Sequence, residues 1–168
     1  NTGWWEFGLD MAYNTWYHIA WTFDDAGNLT AYVNGEITRR GNYPGSLSFS
    51  TDNLHFNSTD GMHMYKGRLD EVRIWNIVRS ADEIRENMYL SFPENMPGMV
   101  SYYQFNEGEG NATADLMGPN RGILHKMHAG CWVDATMPFG PGVSDTEHIG
   151  AGRNTTFSQA GVEMEFYG

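Results

Sequence analysis

The stretch Gly67-Arg68-Leu69-Asp70-Glu71-Val72-Arg73-Ile74-Trp75-Asn76, with Arg79-Ser80-Ala81-Asp82-Glu83-Ile84 behind it, constrains the fold more than any other part of the chain. Val72 and Ile74 alternate with Glu71 and Arg73, the period of two that belongs to a half-buried strand. Ser80 stands three residues before Glu83, the spacing of a capping box, in which each side chain reaches the other's backbone amide. The pattern therefore predicts a strand running into one short helix near 80–89. Ile84 and Met88, one turn apart, are expected to pin that helix to a sheet.

A second segment has the same beat. Tyr17, Ile19, Trp21 and Phe23 share one parity, and Trp16, His18, Ala20 and Thr22 share the other. Apolar residues on both sets predict a strand buried on both faces, or one crossing the middle of a sheet. Asp24-Asp25-Ala26-Gly27-Asn28 supplies turn residues, the return strand runs from Leu29 to Val33, and Asn34-Gly35 marks a tight turn. Residues 39–46 (Arg-Arg-Gly-Asn-Tyr-Pro-Gly-Ser) read as a loop, with short strands at 47–50 and 54–56 after it. Aromatics make up 14% of the chain and Gly is frequent, which suits a β-sandwich with many turns.

These segments resemble a known family. Gly67 to Ile84 is similar to the "GxIDEVRIWN…RSxxEI" signature of laminin-G-like and pentraxin-like jelly rolls, within the concanavalin A-like superfamily. Trp16 to Asp24 and Leu29 to Gly35 resemble that family's "WxHVAxTFD…LxLYVNG" hairpin. The resemblance covers roughly Trp4 to Trp132 and implies an all-β fold: a two-sheet antiparallel jelly-roll sandwich with one short helix. The family's opening strands have no counterpart, so the sequence reads as part of a longer polypeptide or as a sandwich completed by another segment. Met99 to Gly110 and Asp115 to Leu124 resemble the "LVxYYxFNEGxG…DxxGNxxGxL" strands that open many family members. The simpler reading is that they close the same sandwich; a truncated second repeat is the alternative. On this basis residues 1–137 form the jelly roll. Residues 138–168 form a linker, then a further β segment or domain in which Val162, Met164 and Phe166 alternate with Glu163, Glu165 and Tyr167.

Charge narrows the function. A net charge of −11, with 10 Lys+Arg against 21 Asp+Glu, offers no basic footprint for nucleic acid or for an anionic membrane surface. No run approaches the ~20 apolar residues that span a bilayer. Cys131 is the single cysteine, so no intrachain disulfide forms. It sits between Gly130 and Trp132 and is expected to be packed rather than reactive.

Concanavalin A-like folds do host glycosidases, which need two carboxylates converging on one bond, ~5–5.5 Å apart for retention or ~6.5–9.5 Å for inversion. Asp70 and Glu71 are adjacent and are expected on opposite faces of a strand. Glu107 and Glu109 share a parity but sit in a Gly-flanked turn, so a structural role is the expectation for all four. Asp70 is expected to bury its carboxylate against nearby backbone amides. His125 and His128 fall on opposite strand faces, and His18 is expected to pack and hydrogen-bond. The resemblance implies a Ca²⁺ site, since laminin-G-like and pentraxin domains often carry one on a rim loop. Asn57 and Asp60, in Asn57-Ser58-Thr59-Asp60-Gly61, lie in the region of the pentraxin ligands but lack the consecutive Glu-Gln-Asp. Asp24-Asp25 is a second oxygen-rich turn. Four sequons begin at Asn28, Asn57, Asn111 and Asn154.

The resemblance implies a non-catalytic extracellular recognition or adhesion module of a larger secreted or cell-surface protein. Its partners would be a glycan or an extracellular protein, met through rim loops, together with neighbouring domains or chains of the same assembly. The alternatives are an accessory or catalytic part of a secreted glycosidase, and a structural subunit of a surface filament or layer.

Overall fold

The computed structural model describes residues 12, 15–43, 54–56, 67–91, 96–125, 127, 129–134, 155–158 and 163–167, the last two segments by their backbone. The elements are strands in antiparallel pairs and one short helix, the composition of a concanavalin A-like β-sandwich. The chain divides into two compact units, Asn1–Phe49 with Ile77–Leu90 and Met137–Gly140, and Ser50–Asn76 with Ser91–Thr136 and Pro141–Gly168.

In the first unit, strands β1 (Ile19–Phe23), β2 (Asn28–Val33) and β3 (Glu36–Asn42) form a meander in the order β1-β2-β3. The register runs Ile19↔Val33 to Phe23↔Leu29 in the first pair. In the second it runs Asn28↔Asn42 to Ala31↔Arg39, then shifts past Thr38 to Tyr32↔Ile37 and Val33↔Glu36. Asn34 (φ 51) and Gly35 (φ 78) both take the left-handed conformation that a two-residue type I′ hairpin turn requires. Asn34 also ties the turn to the start of β1: its Oδ1 accepts from the His18 amide at 2.9 Å, and its own amide donates to the His18 carbonyl at 2.8 Å.

Helix α1 (Ala81–Asn87) packs on that turn. Its capping box is formed, with Ser80 Oγ accepting from the Glu83 amide at 3.2 Å and Glu83 Oε2 accepting from the Ser80 amide at 2.8 Å. Ile84 is buried, and Arg85 bridges Asp82 (3.0 Å) and Glu36 (3.3 Å). Gly35 is needed for contact as well as for φ: a Cβ there would meet Arg85 Cβ at 3.0 Å.

The second unit contains β4 (Leu54–Phe56), β5 (Arg68–Leu69), β6 (Val72–Trp75), β7 (Met99–Tyr103), β8 (Ala112–Ala114), β9 (Arg121–His125), β10 (Trp132–Asp134), β11 (Thr155–Ser158) and β12 (Glu163–Tyr167). They make three sheets, ordered β10-β11-β5, β4-β12-β9-β8 and β6-β7. Side chains from all three meet in one apolar cluster. Tyr103, Phe105, Leu124 and Cys131 are buried at its centre, with Phe56, Leu69, Val72, Met127 and Trp132 against them. Each large side chain buried there contributes roughly 1.5–3 kcal/mol. Met99 and Tyr102, with Trp75, Met96 and Met117, form a second cluster. Strand β7 feeds both because Tyr102 and Tyr103 point to opposite faces.

Three expectations change. Residues 39–42 lie in β3 rather than in a loop, because Arg39, Arg40, Gly41 and Asn42 find partners along β2. Strand β1 is not buried on both faces: Ile19 is 37% and Trp21 55% exposed. Burial on both faces belongs instead to β2, the central strand, where Ala31, Tyr32 and Val33 are all buried. Asp70 and Glu71 do not alternate along one strand, because Glu71 (φ 54) breaks the chain between β5 and β6. The strand expected at 47–50 lies outside the described residues.

Candidate functional site

At one end of the meander the β1–β2 turn is built around Asp24. Its Oδ1 accepts from the amides of Ala26 (3.0 Å) and Asn28 (2.8 Å), and its Oδ2 accepts from Asn28 Nδ2 (2.8 Å). These N–H donors favour the ionised form, so the Asp24 carboxyl is held below its ordinary range, chiefly by the Asn28 side chain. Asn42, at the end of β3, donates from Nδ2 to the Ala26 carbonyl (3.1 Å) and to Asn28 Oδ1 (2.9 Å). The Tyr43 amide donates to the Gly27 carbonyl at 2.7 Å, which holds the 44% exposed Tyr43 beside the turn. The result is a fixed rim. Exposed residues Asn28 and Asn42, an exposed Asp25 and the ring of Tyr43 are presented on this hydrogen-bonded turn.

The second unit holds a different polar group, drawn inward. Glu71 Oε2 accepts from Arg73 Nη2 (2.7 Å) and from the Tyr102 hydroxyl, and Glu71 Oε1 accepts from Ser91 Oγ (3.2 Å). Gln104 Nε2 donates to the Tyr102 oxygen (2.9 Å), and Asn106 Nδ2 donates to Gln104 Oε1 (3.3 Å). The Arg73 guanidinium also stands 5.5 Å from the centre of the Tyr102 ring. Burial, and then the Glu71 charge, push the Tyr102 hydroxyl up to about 12. Burial, with Glu71 second, pushes the Asp70 carboxyl up to about 8, although its Oδ1 accepts from the Glu71 amide at 3.0 Å. Nearby, Asp115 is buried and caps a turn onto β7, its Oδ1 accepting from the amides of Tyr102 and Met117 at 2.9 Å each. Burial and Asp115 together push the Tyr103 hydroxyl up to about 12.

Asn57 and Asp60 lie outside the described residues, as does His128. Asp24, expected in an oxygen-rich turn, is there, but both of its oxygens are spent on the turn's own N–H groups. Glu107 Oε1 accepts from Thr113 Oγ1 (3.1 Å) and the Ala114 amide (2.9 Å), a structural brace as expected. Cys131 is fully buried, and no group of three or more His, Cys, Asp or Glu is gathered among the described residues. Asp70 meets one backbone amide, as expected, but keeps company with a second carboxylate. Sequence reading missed Asn42 and Tyr43, hidden in a stretch read as loop. It also missed Tyr102 and Gln104, whose same-parity spacing two residues apart was the available signal.

Comparison with known proteins fits this architecture. The laminin-G-type family model of the concanavalin A-like lectin/glucanases superfamily matches residues 2–85, half of the chain. A crystal structure of a protein from Bacteroides ovatus ATCC 8483, provisionally described as carbohydrate binding, superposes with a TM-score of 0.54 at 25% identity. The match covers 68% of this chain and 36% of that one, so the chain spans about a third of that protein's length. No curated protein matches. With the matched segment carrying both the meander and the strand–helix signature, the chain belongs to the concanavalin A-like lectin/glucanase superfamily.

Proposed function

We propose that the chain is part of a non-catalytic carbohydrate-binding module of a larger secreted or cell-surface protein, and that the rim of Asn28, Asn42 and Tyr43, ordered by Asp24, meets the sugar. The observation that carries this reading is the hydrogen bonding within that rim. Three N–H groups on Asp24 and two carbonyl oxygens on Asn42 order the turn before any ligand arrives. A pre-ordered site avoids the entropic cost of organising polar side chains on binding. Sugars suit such a surface, because a ring face stacks on an aromatic side chain while hydroxyls pair with amides and carboxylates. The likeness to the Bacteroides ovatus protein supports the same ligand class.

A glycan array followed by calorimetry on the 168-residue chain tests the proposal. Tyr43→Ala is expected to weaken the best glycan at least tenfold with melting temperature nearly unchanged, and Asn42→Ala to weaken it at least tenfold with a small loss of melting temperature, since its two hydrogen bonds to the turn go too. Undiminished binding by both variants would refute the rim as the site, and release of shorter sugars from the bound glycan would refute the non-catalytic reading.

A further inference from the structure

We infer that the saccharide recognised by this meander is anionic, a carboxylate-bearing sugar, and that Arg40 on β3 reads its charge. This rests on the carbohydrate-binding reading above and adds the ligand's charge to it. Thr22, Thr30 and Arg40 are cross-strand neighbours in one row, through the pairs Thr22↔Thr30 and Thr30↔Arg40. Strands lie ~4.8 Å apart, so the row spans ~10 Å with all three side chains on one face. The next row, two residues or ~7 Å along, is Asn28↔Asn42, the amide pair of the rim. Half-buried hydroxyls, two exposed amides and one exposed guanidinium thus share this face from the middle of the sheet to the rim.

The ion pairs described within the first unit leave Arg40 available: Arg79 pairs with Glu83, and Arg85 with Glu36 and Asp82. Arg40 is exposed and has no ion pair among the described residues. Arg121 on β9 is likewise exposed without an ion pair among the described residues, but it lies in the second unit, whereas Arg40 stands on the meander that carries the rim. Glu36, at the far end of β3, is held by Arg85. Asp24 is engaged by its turn, and Asp25, exposed at the rim, repels an anion toward the Arg40 end. A guanidinium pairs a carboxylate through two parallel N–H donors, which gives direction as well as attraction.

The test is calorimetry of the 168-residue chain with polygalacturonate, its carboxyl-reduced neutral counterpart, and dextran sulfate. Polygalacturonate is expected to bind at least tenfold tighter than the reduced polymer, Arg40→Gln is expected to erase that difference, and Arg40→Lys to restore part of it. Equal binding of charged and reduced polymers, unchanged in Arg40→Gln, would overturn the inference while leaving the carbohydrate-binding reading in place. Preference for dextran sulfate alone would overturn the carboxylate assignment. Failure of a broad glycan array to show any ligand would overturn the parent reading as well.

Discussion

Replacing Asp70 by Asn should make the protein more stable in alkali and nearly unchanged in acid. The carboxyl sits between β5 and β6, where burial and the Glu71 charge raise it from 3.8 to about 8. Between those two values the folded protein holds a proton that the unfolded chain has released. Because the folded state binds more protons there, stability falls as pH rises from about 4 to about 8 and is flat outside that window. Each pH unit costs about 1.4 kcal/mol, so the ceiling across the window is about 6 kcal/mol. Water entry and relaxation around the ionised group reduce this, and roughly 2–4 kcal/mol is expected to remain at pH 8.5. Asparagine keeps the shape and the carbonyl oxygen that accepts from the Glu71 amide, but has no proton to lose. Urea unfolding of both proteins from pH 4 to 9 gives the difference in stability at each pH, in which groups common to both cancel. A difference that grows toward alkali supports the burial argument. A difference constant across the range, or one favouring the native Asp70 at pH 8.5, would refute it.

Gly35→Ala combines a side chain at φ 78 with a 3.0 Å approach to Arg85 Cβ, and should cost about 2 kcal/mol or more by thermal unfolding. Ser80→Ala removes one half of the capping box and should cost about 1 kcal/mol, with Ser80→Asp recovering most of it. Asp24→Ala should speed hydrogen exchange at the Ala26 and Asn28 amides and weaken glycan binding several-fold, while the exchange of α1 amides stays unchanged.

What could be read from the sequence was what the chain decides locally. The capping box lies within four residues, and the Asn34-Gly35 turn within two, so residue chemistry alone specifies them. Strand β3 was missed because Arg39-Arg40-Gly41-Asn42 has loop-like composition, and only its partner β2 makes it a strand. Trp21 was misplaced for a related reason: alternation shows which residues share a face but not whether anything covers that face. The rim was half legible. Asp24 and Asn28 announce a turn, but Asn42 joins them from 14 residues away through a hydrogen bond that no spacing rule predicts. The Glu71 group is more remote still, since Tyr102 lies 31 residues on.

Two neighbouring acids, one with a raised carboxyl, are the arrangement that sugar-cleaving enzymes use, so Asp70 and Glu71 invite a catalytic reading. Their surroundings argue against it. A nucleophile or base must keep an oxygen turned to substrate, whereas Glu71 gives one oxygen to Arg73 and Tyr102 and the other to Ser91. Its side chain is only 11% exposed and that of Arg73 10%, so removing either partner would strand a buried charge rather than free a catalyst. The positive φ at Glu71 has a structural purpose too. It turns the carboxylate toward β7, where Val72 pairs with Tyr103, so that one side chain joins β6 to β7 and to the segment holding Ser91. Such strain costs about 1–3 kcal/mol, and a charge-assisted bond in partial burial returns about 1.5–3 kcal/mol. Three such bonds on one carboxylate outweigh the strain. The Asp70 proton is therefore a by-product of placing this clamp beside a second acid, and its predicted signature is a pH-dependent stability rather than a pH-dependent turnover.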